Sequence, residues 1–322
     1  MIKVALVSAW HVHAEQYFNM TNANPLSEVA AVWDEDSERG KRIAEKNGSV
    51  FYSDYDELLN DKSIDAVIIT SPTSMHTDLM IKAAKAGKHI FTEKVVAIEN
   101  GDAEKIREAV KSAGIHFTIC FPHESESPFL TVKRIVDGGE LGKITYARFR
   151  KAHTGSIDNW LPGYFYDRSL CGGGAMIDLG AHPMYLLPWY MGKPVKVSSV
   201  FTDVTGRGVE DNAVSVIEFD DGAIGVSETG FVSWGNPLTL EISGTDGWLQ
   251  MNDGDIRYRT RNSGGWKVPE PAEKGTHPLN YFIENVALGR PDKLYTIEEA
   301  VELTKLMSAA YRSDAGKSVQ KV

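Results

Sequence analysis

Asp178 and His182 stand four residues apart in a stretch, 175–191, with the pattern of a helix, so both side chains project from one face. An imidazole of ordinary pKa is the side chain best suited to take a hydroxyl proton near neutral pH. A carboxylate one turn away can orient that ring and stabilise its charged form. Lys94 ends a short β-rich run, where an ammonium group can hydrogen-bond a reacting oxygen and stabilise an alkoxide. Taken singly, each of the three is also an ordinary surface residue.

A second cluster of chemistry lies in the turn Val7-Ser8-Ala9-Trp10-His11-Val12-His13-Ala14. In a dinucleotide fold this turn carries GxGxxG: the first glycine makes the tight turn and the second lets the backbone approach a pyrophosphate. Here those positions hold Ser8, Trp10 and His13, so the fingerprint is absent. Trp10 must point away for phosphate to bind, and Trp10, His11 and His13 reshape the pocket. Asp34, about 20 residues further on, ends the second strand, where a carboxylate bonds a ribose 2′-hydroxyl and repels a 2′-phosphate. That favours NAD over NADP. The His11–His13 pair has no accompanying carboxylate or cysteine cluster in the sequence, so no metal is expected.

The elements that must position these residues follow from hydrophobic periodicity. Strand-like runs at 3–7, 29–33, 66–70, 89–92 and 116–121 alternate with helical patterns at 14–22, 35–47, 78–86 and 100–113. Such alternation implies a parallel, doubly wound sheet with ligands at the strands' carboxyl ends. After Pro122 the rhythm changes. A helix at 129–137 and a strand at 144–150 lead to an aromatic loop holding Trp160, Tyr164, Phe165 and Tyr166, then to the helix at 175–191. Six strand-like runs follow, at 195–204, 213–219, 223–227, 238–243, 248–251 and 256–261, before helices at 279–288 and 297–313. Polar turns such as Asp220-Asp221-Gly222 and Asp253-Gly254 join some of them as hairpins. The expectation is an α/β Rossmann N-terminal domain, 1–122, and an α+β C-terminal domain, 123–322, with one large antiparallel sheet.

Bulk composition narrows the partners. The 322 residues carry a net charge of −10 with no basic block, which disfavours nucleic acid and anionic membranes. Cys120 and Cys171 are the only cysteines and form no CxxC pair, which suits a reducing compartment. The apolar N-terminal run is too short for a secretory core, and no later run reaches membrane-spanning length, so a cytoplasmic protein is expected.

Two further blocks carry a resemblance. The segment from Thr70-Ser71-Pro72 through His76 to Ala86-Gly87-Lys88-His89 and Glu93-Lys94 resembles the glucose–fructose oxidoreductase/inositol dehydrogenase/MocA family. The family's proline after Glu-Lys is Val95 here, which removes a stiff element beside Lys94. The block Gly172-Gly173-Gly174-Ala175-Met176-Ile177-Asp178-Leu179-Gly180-Ala181-His182 matches the family pattern GGGxxxDxGxH in full. Gly138-Gly139-Glu140-Leu141-Gly142-Lys143-Ile144 is similar to it as well.

The resemblance implies NAD-dependent hydride transfer on a secondary alcohol of a sugar, cyclitol or polyol. It implies His182 as acid/base with Lys94 and Asp178 as partners, and Glu93 beside the nicotinamide ribose. Ser8, Trp10, His11, Val12, Asp34, Ser71, Pro72, His76, Glu93 and Lys94 are then the candidate cofactor contacts. His123, Arg150, His153, Trp160, Tyr164 and Arg168 are weaker candidates for substrate hydroxyls, the aromatic residues by stacking on a ring or equally by filling the core. The second domain's sheet implies a homodimer or homotetramer. Two other readings stay open: a catalytically silent ligand sensor on the same fold, and a glycosidase or epimerase that recycles a tightly held NAD.

Overall fold

Four consecutive buried residues, Ala66–Ile69, need a position with neighbours on every side, and they occupy the middle of a six-stranded parallel sheet. The computed structural model describes residues 1–322. By contacts the chain divides into two units, Met1–Phe121 with Thr276–Thr304, and Pro122–Gly275 with Lys305–Val322.

The first unit contains β1 (Ile2–Val7), α1 (Ala14–Ala23), β2 (Ser27–Trp33), α2 (Ser37–Asn47), β3 (Val50–Tyr52), α3 (Tyr55–Asn60), β4 (Ala66–Ile69), α4 (His76–Lys85), β5 (His89–Thr92), α5 (Asn100–Ala113) and β6 (Phe117–Ile119). The strand order β3-β2-β1-β4-β5-β6 reverses direction at β1, which opens a crevice at the carboxyl ends of β1 and β4. Asp36 caps α2 by accepting from the Glu38 and Arg39 amides, and Gly48 closes it in the left-handed region. β3 and α3 escape the periodicity argument because they are only three and six residues long.

The second unit contains α6 (Ser127–Asp137), β7 (Ile144–Ala152), α7 (Arg168–Cys171), α8 (Ala175–Asp178), α9 (Ala181–Met191), β8 (Pro194–Thr202), β9 (Asn212–Phe219), β10 (Ile224–Gly230), β11 (Leu238–Gly244), β12 (Gly247–Asn252) and β13 (Asp255–Thr260). The chain closes with α10 (Pro278–Leu288), α11 (Ile297–Gly316) and β14 (Gln320–Lys321). The eight strands run in the order β13-β12-β11-β7-β10-β9-β8-β14. The sheet is antiparallel except for β7 and β10, which pair in parallel because β7 enters it from the middle. β9 alternates exposed and buried along its length, the pattern of a sheet covered on one face. α9 lies on that covered face, against β7 and β10.

The chain passes from the first unit to the second after Phe121, and residues 276–304 return to the first. The reason is packing: Leu279, Phe282 and Ile283 of α10 join Val4, Leu6 and Phe91 in one core. The single helix expected over 175–191 is broken at Leu179–Gly180, where the Gly180 amide reaches back five residues to the Ala175 carbonyl.

Candidate active site

The turn after β1 keeps a glycine-like backbone without a glycine. Ser8 is fully buried with φ of 71°, a region that costs a non-glycine residue roughly 1–2 kcal/mol. Three hydrogen bonds hold it there. Its amide donates to the Trp33 carbonyl at 2.6 Å, its carbonyl accepts from Thr70 Oγ1 at 2.6 Å, and its Oγ accepts from the Trp10 amide at 3.1 Å. No side chain caps α1, so its amino end is the natural place for an anion. The turn therefore fits a dinucleotide's diphosphate through backbone geometry. Within it Val12 is exposed, while Trp10 and His11 are half-buried.

Asp34 is fully engaged. Its carboxylate accepts from the Ala9 amide at 2.9 Å, the Asp36 amide at 2.8 Å, and Arg39 Nε and Nη2 at 2.9 and 2.6 Å. It thus ties the β1 turn to the start of α2, and a ribose hydroxyl reaches it only by displacing one of these donors. His76 is not available to a ligand, contrary to expectation. It is buried, and its ring nitrogens face the carbonyls of Val95 and Ser71 at 3.0 and 3.1 Å. Burial pushes its pKa down. Its role is to pin the Ser71-Pro72 turn to the backbone after Lys94, where the Lys94–Val95 bond is cis.

Glu93 is the buried centre of this half. His13 Nδ1 lies 2.8 Å and His11 Nδ1 3.9 Å from its Oε1, and the Tyr17 hydroxyl donates to the same oxygen. Burial alone raises this carboxyl, but His11, His13 and Lys94 outweigh it and hold it well below the usual carboxylate range. Tyr17, whose hydroxyl also lies 3.2 Å from Cys120 Sγ, is pushed well above 10 by burial and by these neighbours.

In the second unit the triple glycine is bolted to Glu210. One oxygen of this buried carboxylate accepts from the Gly174 and Met176 amides at 2.7 and 3.1 Å and from the Tyr311 hydroxyl at 2.6 Å. A Cβ on Gly174 would strike the Glu210 carbonyl and Val209, so the close approach demands glycine. This clamp sets the start of α8, and with it Asp178 and His182. His182 is buried, with Nδ1 3.1 Å from the Tyr185 hydroxyl and its ring 4.6 Å from that of His123.

His123 is more firmly placed than its sequence context suggests. Lys151 Nζ, which can only donate, lies 2.7 Å from Nε2, so Nδ1 carries the proton and donates it to Glu126 at 2.8 Å. Glu126 is raised by burial, but His123, Lys151 and Lys274 carry it below its ordinary value. Asp178 is felt by His153, whose pKa is lowered by burial against the pull of that carboxylate.

The weaker candidates separate. Arg150 faces away from this cluster: it pairs with Glu228 at 3.7 Å and Ser233 at 2.9 Å, and its strand neighbour Lys151 takes the place beside His123. Trp160 is 54% exposed with its ring 4.6 Å from His153, which leaves a face for stacking. Tyr164 stacks on Phe165 at the edge of a small apolar core with Leu161, Leu179 and Phe231. Arg168 lies 3.6 Å from Glu210.

Residues 2–121 match the oxidoreductase family with an NAD-binding Rossmann fold, and residues 129–250 match the GFO/IDH/MocA C-terminal domain. The chain belongs to the GFO/IDH/MocA family. It is 32% identical to scyllo-inositol 2-dehydrogenase (NAD(+)) of Bacillus subtilis, over 75% of this chain and 70% of that one. It is 28% identical to myo-inositol 2-dehydrogenase of Thermotoga maritima, over 85% and 79%. The fold matches GenD2 of gentamicin A biosynthesis in complex with NAD, with a TM-score of 0.87, 25% identity and coverage of 100% and 96%.

This GFO/IDH/MocA protein is thus an NAD-dependent oxidoreductase acting on CH–OH groups, on the Rossmann and mostly antiparallel sheet architecture expected from its motifs. Lys151, Glu210 and Tyr17 were missed by sequence reasoning. A lysine in a strand and a glutamate before one carry no motif. Tyr17 could have been noticed as a hydroxyl on the buried face of α1, one turn after His13.

Proposed function

We propose that this protein oxidises a ring hydroxyl of a cyclitol or sugar with NAD, or runs the reverse reduction. The observation that carries the substrate class is the likeness to the two inositol dehydrogenases, joined to a buried histidine cluster suited to hydroxyl chemistry. His182 takes the hydroxyl proton, Asp178 stabilises the charge that results, and Lys94 holds the reacting oxygen. Bound NAD supplies the hydride acceptor. Ser8, Trp10, His11 and Val12 with the amino end of α1 would hold its diphosphate, Ser71 and Pro72 would line the nicotinamide half, and Glu93 the nicotinamide ribose.

Asp34 supports a preference for NAD, since a buried carboxylate repels a 2′-phosphate. His123, His153 and Trp160 are the proposed hydroxyl and stacking contacts. Two buried cysteines that form no disulfide suit a cytoplasmic setting. The exposed Val200, Val214, Val216 and Ile224 on the outer sheet face suit a homodimer or homotetramer.

The test is an absorbance assay for NADH with NAD and a panel of myo-inositol, scyllo-inositol, levoglucosan and D-xylose. Steady NADH release with one of them is expected. Tight NADH binding with no release from any cyclitol or sugar would sink the dehydrogenase assignment of substrate.

A further inference from the structure

We propose that His11, His13 and Glu93 form a binding site for a divalent transition ion of the zinc class, seated in the turn between β1 and α1. The set is invisible in the sequence, where the two histidines stand without a carboxylate. The fold brings Glu93 to them from the end of β5, and one ligand atom from each of the three lies within 4.8 Å of the others. Donor atoms about 2.1 Å from a tetrahedral ion stand about 3.4 Å apart. The observed separations from Glu93 Oε1, 2.8 Å to His13 Nδ1 and 3.9 Å to His11 Nδ1, fall on either side of that value.

Two imidazoles and one carboxylate are an established zinc donor set that leaves a position open on the ion. The carboxylate is buried, with both imidazole rings turned to the same oxygen. His13 remains reachable from solvent, its side chain being 46% exposed. Tyr17, donating to Glu93, holds the carboxylate in place as outer partners of metal ligands do. Coordination requires the His13 ring proton to leave Nδ1, for Nε2 or for solvent, and His11 Nδ1 to exchange the His13 amide for the ion. An ion seated in this turn would offer a dinucleotide's diphosphate a cationic contact in place of the missing glycines. Ion binding itself does not depend on the substrate assigned above.

The experiment is calorimetric titration of chelator-stripped full-length protein with zinc, with metal analysis of the dialysed product and the visible spectrum of the cobalt form. One equivalent is expected, with the intense bands of four-coordinate cobalt. His11→Ala and His13→Ala should each weaken binding by roughly 100-fold or more while the circular dichroism spectrum stays that of the folded parent. His116→Ala, in a separate His89–His116–Asp292 contact, should leave binding unchanged. Absence of stoichiometric zinc, binding in both turn variants as tight as in the parent, or loss of binding in His116→Ala would each overturn the proposal. Should His13→Ala unfold, His13→Asn preserves size and polarity and carries the same expectation.

Discussion

At the turn between β1 and α1 a left-handed backbone position is filled by Ser8, whereas at the turn into α8 the tight approach to Glu210 is made by Gly174. The first turn departs from the dinucleotide fingerprint at all three glycine positions and yet keeps a positive φ at the first of them. The second keeps every glycine of its motif. The difference lies in what surrounds each. Ser8 pays a conformational cost that three hydrogen bonds offset, and its side chain has room to accept one of them. Gly174 has a carbonyl where a Cβ would go, and no hydrogen bond offsets an overlap of atoms. A backbone angle is negotiable; occupied space is not.

The largest effect expected from this contrast is at the chemistry that the glycine turn positions. His182→Ala should lower kcat by about 10²–10⁴-fold while NADH affinity, measured by fluorescence titration, stays within a factor of a few. Near-normal turnover would remove His182 from the reaction. Gly174→Ala should destabilise the protein by about 1–3 kcal/mol, read as a lowered thermal midpoint, whereas Ser8→Gly should change it by less than about 1 kcal/mol. If the two substitutions shift the midpoint equally, the distinction between angle and space fails.

Arg39→Ala strips a buried carboxylate of its ion pair and should cost about 1–3 kcal/mol, reduced because the guanidinium is partly exposed. The same variant should bind NADPH more weakly than the parent and NADH about as well, since an arginine here is the group able to meet a 2′-phosphate.

The pH dependence has a definite sign. Glu93 titrates below its ordinary 4.5 in the folded protein, so its stabilisation is complete above that pH and is lost as acid carries the solution down through the folded value. Denaturant midpoints measured below pH 4.5 should therefore fall less steeply in Glu93→Gln than in the parent. The smallest effect is expected at Trp160, which is 54% exposed: Trp160→Ala should leave stability unchanged and raise KM by about 2–10-fold, the worth of one stacking contact.

Much of the scaffold was legible because its signals are local. The all-apolar run of β4, the alternation along β9, and Gly48 and Gly114 at helix ends are written in consecutive residues. The parallel pairing of β7 with β10 was not, since it joins residues 78 apart in the chain, such as Ile224 and Tyr146, and no local pattern marks such partners. Arg150 was a candidate site residue, and nothing in the sequence set its neighbour Lys151 apart from it. A strand places adjacent residues on opposite faces, and only the sheet's packing shows which face holds His123.

By itself the sequence determined the class of the two folded units and the family, because hydrophobic period, turn residues and the glycine block are short-range patterns that survive in one dimension. It also determined which side chains were present for acid–base work. Tertiary structure alone decided that His76 is a buried strut, that residues 276–304 pack with the first unit, and that Lys151 and Glu126 set the proton on His123. It alone carried Glu93 across 80 residues of chain to His13. Those outcomes turn on burial and on contacts between residues far apart in the chain, and no spacing rule encodes a distance that only the packed core creates.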